Sequence, residues 1–150
     1  MIEGVDMVPL EINNQYRCKY FKIEELVHPN LLKTIPEDIL WSMFDDRLLR
    51  VADRYRENYG PIFINGRGLV DCGLREIDGT TGAKYSAHKF GRALDLHIIS
   101  IENLNLPKEE KIERYNRVRK EYIYADINYE DNISWLHIDT YNRVNKFFKG

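Results

Sequence analysis

Two short stretches organise this chain: Ser86-Ala-His-Lys-Phe-Gly-Arg-Ala-Leu-Asp95 and Trp135-Leu-His-Ile-Asp139. After Gly91, the run Ala93-Leu-Asp-Leu-His-Ile-Ile99 reads as a buried strand, a short apolar segment rich in branched residues. Side chains alternate faces along a strand. Asp95 and His97 therefore share one face, and Leu94, Leu96 and Ile98 the other. The same alternation puts Trp135, His137 and Asp139 together and turns Leu136 and Ile138 away. Two neighbouring strands then present Asp95 and His137 to a common point, and His88 reaches it from the preceding loop. Gly91 stands between them, where a tight turn or a close backbone approach is expected.

Two histidines and an aspartate are the ligand types of a catalytic zinc site, which typically takes three protein ligands and keeps one position for water. Such a metal lowers the pKa of that water to about 7, making hydroxide available at neutral pH. The sequence thus nominates His88, Asp95 and His137 as ligands of one Zn2+ ion. His97 reads as the next residue up the strand, or as a support for the ligands. Asp139 is a candidate support for His137 from behind, or a plain structural carboxylate.

At these residues the chain resembles the zinc D-alanyl-D-alanine carboxypeptidases, the M15 peptidases. Their S-x-H-x-x-G-x-A-x-D motif is similar to Ser86 through Asp95, and their late Trp-x-His to Trp135-Leu-His137. Tyr20-Phe-Lys-Ile-Glu-Glu-Leu26 looks like the opening segment of short phage-type members. The resemblance spans roughly residues 20 to 142 and implies the fold shared with the hedgehog signalling domain. It implies peptide-bond hydrolysis in peptidoglycan stem peptides, of the DD-carboxypeptidase or L-Ala-D-Glu endopeptidase type. It further implies that Arg67, just after a strand, positions substrate, with Ser86 as a second contact and Arg75 as a weaker one. Many members carry a general base three residues before the last His. Here that residue is Ser134, which cannot serve. Asp131, six residues before His137, and Glu130 are the alternatives, and the sequence does not choose between them. The family also leaves room for a catalytically inactive zinc module, structural or wall-binding. Without the motif, the default is a metal-free interaction domain.

The rest of the chain is scaffold. With 150 residues the length predicts one domain, residues 1–150, with an N-terminal arm over 1–19. A net charge of −2 argues against nucleic acid, whose binders carry a basic face. No apolar run approaches the roughly 20 residues of a membrane span. The start lacks a basic segment followed by an apolar one, so no secretory signal is read. The resemblance then implies a protein made in the cytoplasm that acts at the bacterial cell wall as a phage or prophage lysin, and as a monomer. Cys18 and Cys72 match no zinc-ribbon spacing and read as two thiols.

The fold expected is α+β: a small, mostly antiparallel sheet with helices on one side and the site at its open end. Lys22–Val27 reads as a short helix ended by His28-Pro29. A long helix follows. Thr34 and Glu37 have capping-box spacing, Leu40, Phe44, Leu48, Val51 and Tyr55 form one apolar stripe, and Gly60-Pro61 stops it. Ile62–Asn65 reads as a strand, and 69–85 as a polar loop walling the cleft, with Tyr85 on it. Residues 100–106 read as a loop, and Asn105 as the cap of a second helix with Ile112, Tyr115, Val118 and Tyr122 inward. Tyr122–Asp126 is a strand or the end of that helix. Arg143 to Lys149 form a basic tail suited to anionic wall polymers.

Overall fold

Leu94, Leu96 and Ile98 on one strand, and Leu136 and Ile138 on another, must bury one face of a sheet. In the computed structural model, which describes Val5–Asp6 and residues 15–150, they do so at the centre of a five-stranded sheet. Its order is β2 (Ile62–Phe63), β3 (Ala93–Ile98), β6 (Leu136–Asp139), β5 (Asn128–Glu130), β7 (Phe147–Phe148). The ladders β2–β3, β3–β6 and β5–β6 are antiparallel, whereas β5–β7 is parallel. The sheet is therefore mixed, which corrects the mostly antiparallel expectation. The reason lies at the chain's end: residues after β6 cross to the far edge of β5 instead of turning back in a hairpin. A separate parallel pair joins β1 (Val5–Asp6) to β4 (Ile123–Tyr124). The remainder of the expected arm lies outside the described residues up to Gln15.

The register is what matters for function. Asp95 pairs with His137, and Ala93 with Asp139, across β3 and β6. Leu94 and Ile138 are also opposite one another, and they point the other way. That apolar face enters a core with Leu48, Leu49, Val51, Ala52 and Tyr55 of helix α3 (Asp46–Tyr59), and Tyr115 and Val118 of α5 (Lys108–Glu121). Each fully buried Leu or Ile contributes about 1.5–3 kcal/mol relative to exposure.

The long helix is interrupted. It divides into α2 (Glu37–Ser42) and α3, after a single turn α1 (Pro29–Leu32). The stripe survives the break, since Leu40 and Phe44 are buried as well. Gly91 explains the interruption. Its backbone lies so close that a Cβ there would stand 1.9 Å from the Met43 carbonyl oxygen, and its own carbonyl accepts from Asp45 N–H at 3.0 Å. Asp45 then caps α3, accepting from Arg47 N–H at 3.0 Å. Pro36, not Thr34, is the N-cap of α2, and the expected capping box does not form there.

Other local expectations shift by a few residues. Residues 23–25 form a 3-10 turn, and His28 caps α1 through Nδ1, which accepts from Asn30 N–H at 3.1 Å. Asn65 leaves the strand and ties loops together, donating to Val27 O and accepting from Cys72 N–H. Ile99–Glu102 is a helical turn, α4, and Pro107 caps α5 while Asn105 takes a positive φ of 51°. Both cysteines are free thiols. Among the described residues, no helix is long and apolar enough to cross a membrane.

Candidate metal centre

Three elements deliver the site. Ser86 caps a 3-10 turn, Ala87–Phe90, accepting from His88 N–H at 3.3 Å, and Gly91 ends the turn in the left-handed conformation at φ 69°. This turn carries His88. Strands β3 and β6 carry Asp95 and His137 in direct register. The three side chains are buried, and one ligand atom from each lies within 4.8 Å of the others. His88 Nε2 is 3.2 Å from Asp95 Oδ2, and His137 Nδ1 is 2.8 Å from Asp95 Oδ1.

Each histidine is held on its far side. His88 Nδ1 donates to the Gly73 carbonyl at 3.0 Å, which turns Nε2 towards Asp95 Oδ2, 3.2 Å away. Gly73 is needed there, because a Cβ would stand 1.8 Å from the Leu26 carbonyl oxygen. His137 Nε2 donates to Asp139 Oδ2 at 2.9 Å. An imidazole anchored through one nitrogen to a carboxylate or carbonyl, with the other turned to a shared point, is the arrangement typical of metal-binding histidines. The group His88–Asp95–His137 fits a metal ion in donor type, number and separation.

The electrostatics follow from this crowding. Burial opposes charge on Asp95, but the neighbouring His88, together with hydrogen bonds from His137 and His88, holds its carboxyl well below the usual range. Burial would likewise depress His137. The hydrogen bonds to Asp139 and Asp95 outweigh it, and the imidazole is pushed up to about 9. Without a metal, His137 is thus a cation between two carboxylates. A metal ion at this position would displace the Nδ1 proton.

The group forms the floor of a cleft of about 550 Å³. Its walls include Tyr85 from the 69–85 loop, as expected, Ser86 just after it, and Trp135, Tyr141 and Phe148 from the C-terminal part. The loop is fixed by the buried Lys89, which donates to Gly79 O at 2.8 Å and Lys84 O at 3.3 Å. Tyr141 ties the two walls together by donating to Tyr85 O at 2.9 Å.

Of the two candidate acids, Glu130 lines the cleft and Asp131 does not. Asp131 is half-exposed and lies 4.0 Å from the buried Arg119 guanidinium. Glu130 is the last residue of β5, and Asp131 lies past its end. Arg67 is also absent from the cleft lining: it donates to Asn103 at 3.1 Å and lies over the Phe63 ring at 5.0 Å. Two other guanidinium groups line the cleft, Arg143 and Arg75, and Arg75 has its NH2 nitrogen 3.8 Å from Asp95 Oδ2 and its Nε donating to Asp71 O at 2.7 Å. Ser86 lines the cleft, though its hydroxyl is engaged as the cap for His88. His97 stands apart, 3.5 Å from Cys72 Sγ and stacked on Phe63.

Sequence reasoning missed two supports. The Gly73 carbonyl has no signature in sequence. Arg143, read as part of a basic tail, instead holds Asp139, and only the four-residue spacing from that acid hinted at it. Lys146 of the same tail is also turned inward, onto the carbonyls of Tyr124, Ala125 and Ile127. Comparison with family models, with curated proteins and with solved structures gave no match to this chain.

Proposed function

We propose that the protein is a zinc-dependent peptidase that hydrolyses peptide bonds in peptidoglycan stem peptides, acting at the bacterial cell wall. One observation carries this reading: two imidazoles and a carboxylate converge on the floor of an open cleft with a carboxylate, Glu130, on its wall. A zinc ion held by His88, Asp95 and His137 supplies Lewis acidity, acidifying water and polarising a carbonyl.

The chain's own residues do the rest. Glu130 takes the proton from the attacking water and passes it to the leaving amine, which the alternative acid, Asp131, is badly placed to do. Arg75 offers a forked donor set to a substrate carboxylate or carbonyl, the role that the family resemblance assigned to Arg67. Trp135, Tyr85 and Tyr141 give apolar surface against which a peptide can lie. The resemblance of Ser86–Asp95 and Trp135–His137 to the M15 motifs supplies the substrate class.

Digestion of purified peptidoglycan, with the new termini identified by mass spectrometry, tests the proposal and identifies the bond. Glu130→Gln should lower the rate about 100-fold or more, the size of a general acid–base contribution. Asp131→Asn should stay within a few-fold of wild type. A second reading, a zinc-binding module without catalysis, draws on Ser134 at the family's usual base position. Zinc-loaded protein that releases no new termini would favour it.

A further inference from the structure

Asp139 is fully buried and has more donors around it than a structural carboxylate needs. His137 Nε2 reaches Oδ2 at 2.9 Å. Arg143 reaches both oxygens, Nε at 3.0 and 2.9 Å and its NH2 nitrogen at 2.8 Å. Asn128 donates to Oδ1 at 3.2 Å from the paired position on β5, and Tyr141 N–H at 3.3 Å. Arg143 is itself braced, its guanidinium 3.7 Å above the Phe148 ring of β7.

We infer that Asp139 and Arg143 form a clamp that fixes the tautomer of His137, so that Nδ1 rather than Nε2 faces the metal position. This rests on the metal-binding reading above and adds the device that sets one ligand's geometry. The argument is one of direction. Nδ1 faces Asp95, which also meets His88, whereas Nε2 faces Asp139, which lies outside that three-residue group and is held by Arg143 and Asn128. With Nδ1 turned to the common point, the proton stays on the ring at Nε2, which donates it to Asp139 Oδ2. Arg143 holds that carboxylate in place through both oxygens, and Asn128 ties it to the next strand. Asp139 and Arg143 are positioning residues in this role, acting on the metal position through His137; Arg143 also borders the cleft.

Two measurements test the clamp. Long-range proton–nitrogen correlation spectra of zinc-loaded wild type should show the His137 ring protonated at Nε2 and coordinated at Nδ1. Coordination at Nε2 would overturn the inference. Zinc affinity by competition with a chromophoric chelator should fall 10–100-fold in Asp139→Asn, the usual loss for an outer partner of a metal-bound histidine, and several-fold in Arg143→Ala. Unchanged affinity in Asp139→Asn would also overturn it. If that variant does not fold, the wild-type spectra decide. Wild type that takes no zinc would sink the metal-binding reading and the clamp together. Wild type that binds zinc beside an unaffected Asp139→Asn would sink the clamp alone.

Discussion

Strand β3 carries two polar side chains on one face, two residues apart, and their surroundings are opposite. Asp95 meets two imidazoles and a guanidinium at the floor of an open cleft. His97 meets a thiol and a phenyl ring, with neither metal-type geometry nor a place in the cleft. Sequence alternation puts both on the same face and cannot rank them. What separates them is convergence. Asp95 lies opposite His137 on β6, while His97 lies opposite Phe63 on β2. One strand thus belongs to a candidate reaction centre at one end and to ordinary packing at the other.

The sharpest way to break this contrast is a pair of alanine variants. His137→Ala should lose the bound ion and all hydrolysis. His97→Ala should keep its ion and its activity, and lose about 2 kcal/mol of stability, mostly from the cavity and the missing ring stack. At this chain length that is a fall of roughly 4–8 °C in Tm by calorimetry. Ion loss in His97→Ala would put both residues in one site and end the distinction.

Gly91→Ala attacks the charged end only. Its new Cβ meets the Met43 carbonyl at 1.9 Å, and φ is left-handed, so a cost of about 3 kcal/mol is expected. Because that turn carries His88, zinc affinity should fall with stability, while the Cys72–His97 contact stays as it is. Denaturant titration beside chelator competition reads both effects.

The two histidines should also titrate in opposite directions in metal-free protein. His137 is pushed up to about 9, mainly by hydrogen bonds to Asp139 and Asp95 working against burial. A raised folded-state value stabilises fully below the unfolded value of 6.5, and that stabilisation is lost as pH rises towards about 9. Burial holds His97 below 6.5, so its contribution is present above that pH and lost as pH falls through its depressed value. Ring-proton NMR shifts against pH separate them. A neutral His137 at pH 7 would contradict the picture of a cation between two carboxylates.

The smallest expected effect concerns the join that receives Gly91. Asp45→Ala removes the cap of α3 and should cost about 1 kcal/mol. Hydrogen bonds from Arg47 hold the Asp45 carboxyl below its usual 3.8 against the opposing effect of burial. The cap's electrostatic part is therefore present above that pH and fades in acid. Urea unfolding at pH 7 and pH 3 checks both the size and the sign.

Much of the site was legible because it depends on short-range rules. Alternation placed Asp95 and His137, Gly91 marked a turn between His88 and Asp95, and the apolar stripe from Leu40 to Tyr55 marked the covering helices. What was hidden depends on contacts between distant segments. The break after Ser42 exists because the Gly91 turn docks there, fifty residues later in the chain. Glu130 ends β5 in the cleft wall, while Asp131 follows the strand and lies by Arg119. Arg67 and Arg75 both sit in polar loops, and only the tertiary path brings Arg75 towards Asp95. The parallel placement of β7, and Arg143's return to Asp139, follow from the crossing after β6, which no local pattern encodes.

Metal content of the purified protein is the most direct test of the central claim. Wild type, reconstituted with zinc and freed of excess, should hold about one ion per chain by mass spectrometry of the metal, and His88→Ala should hold none. A folded wild type that retains no zinc would contradict the account.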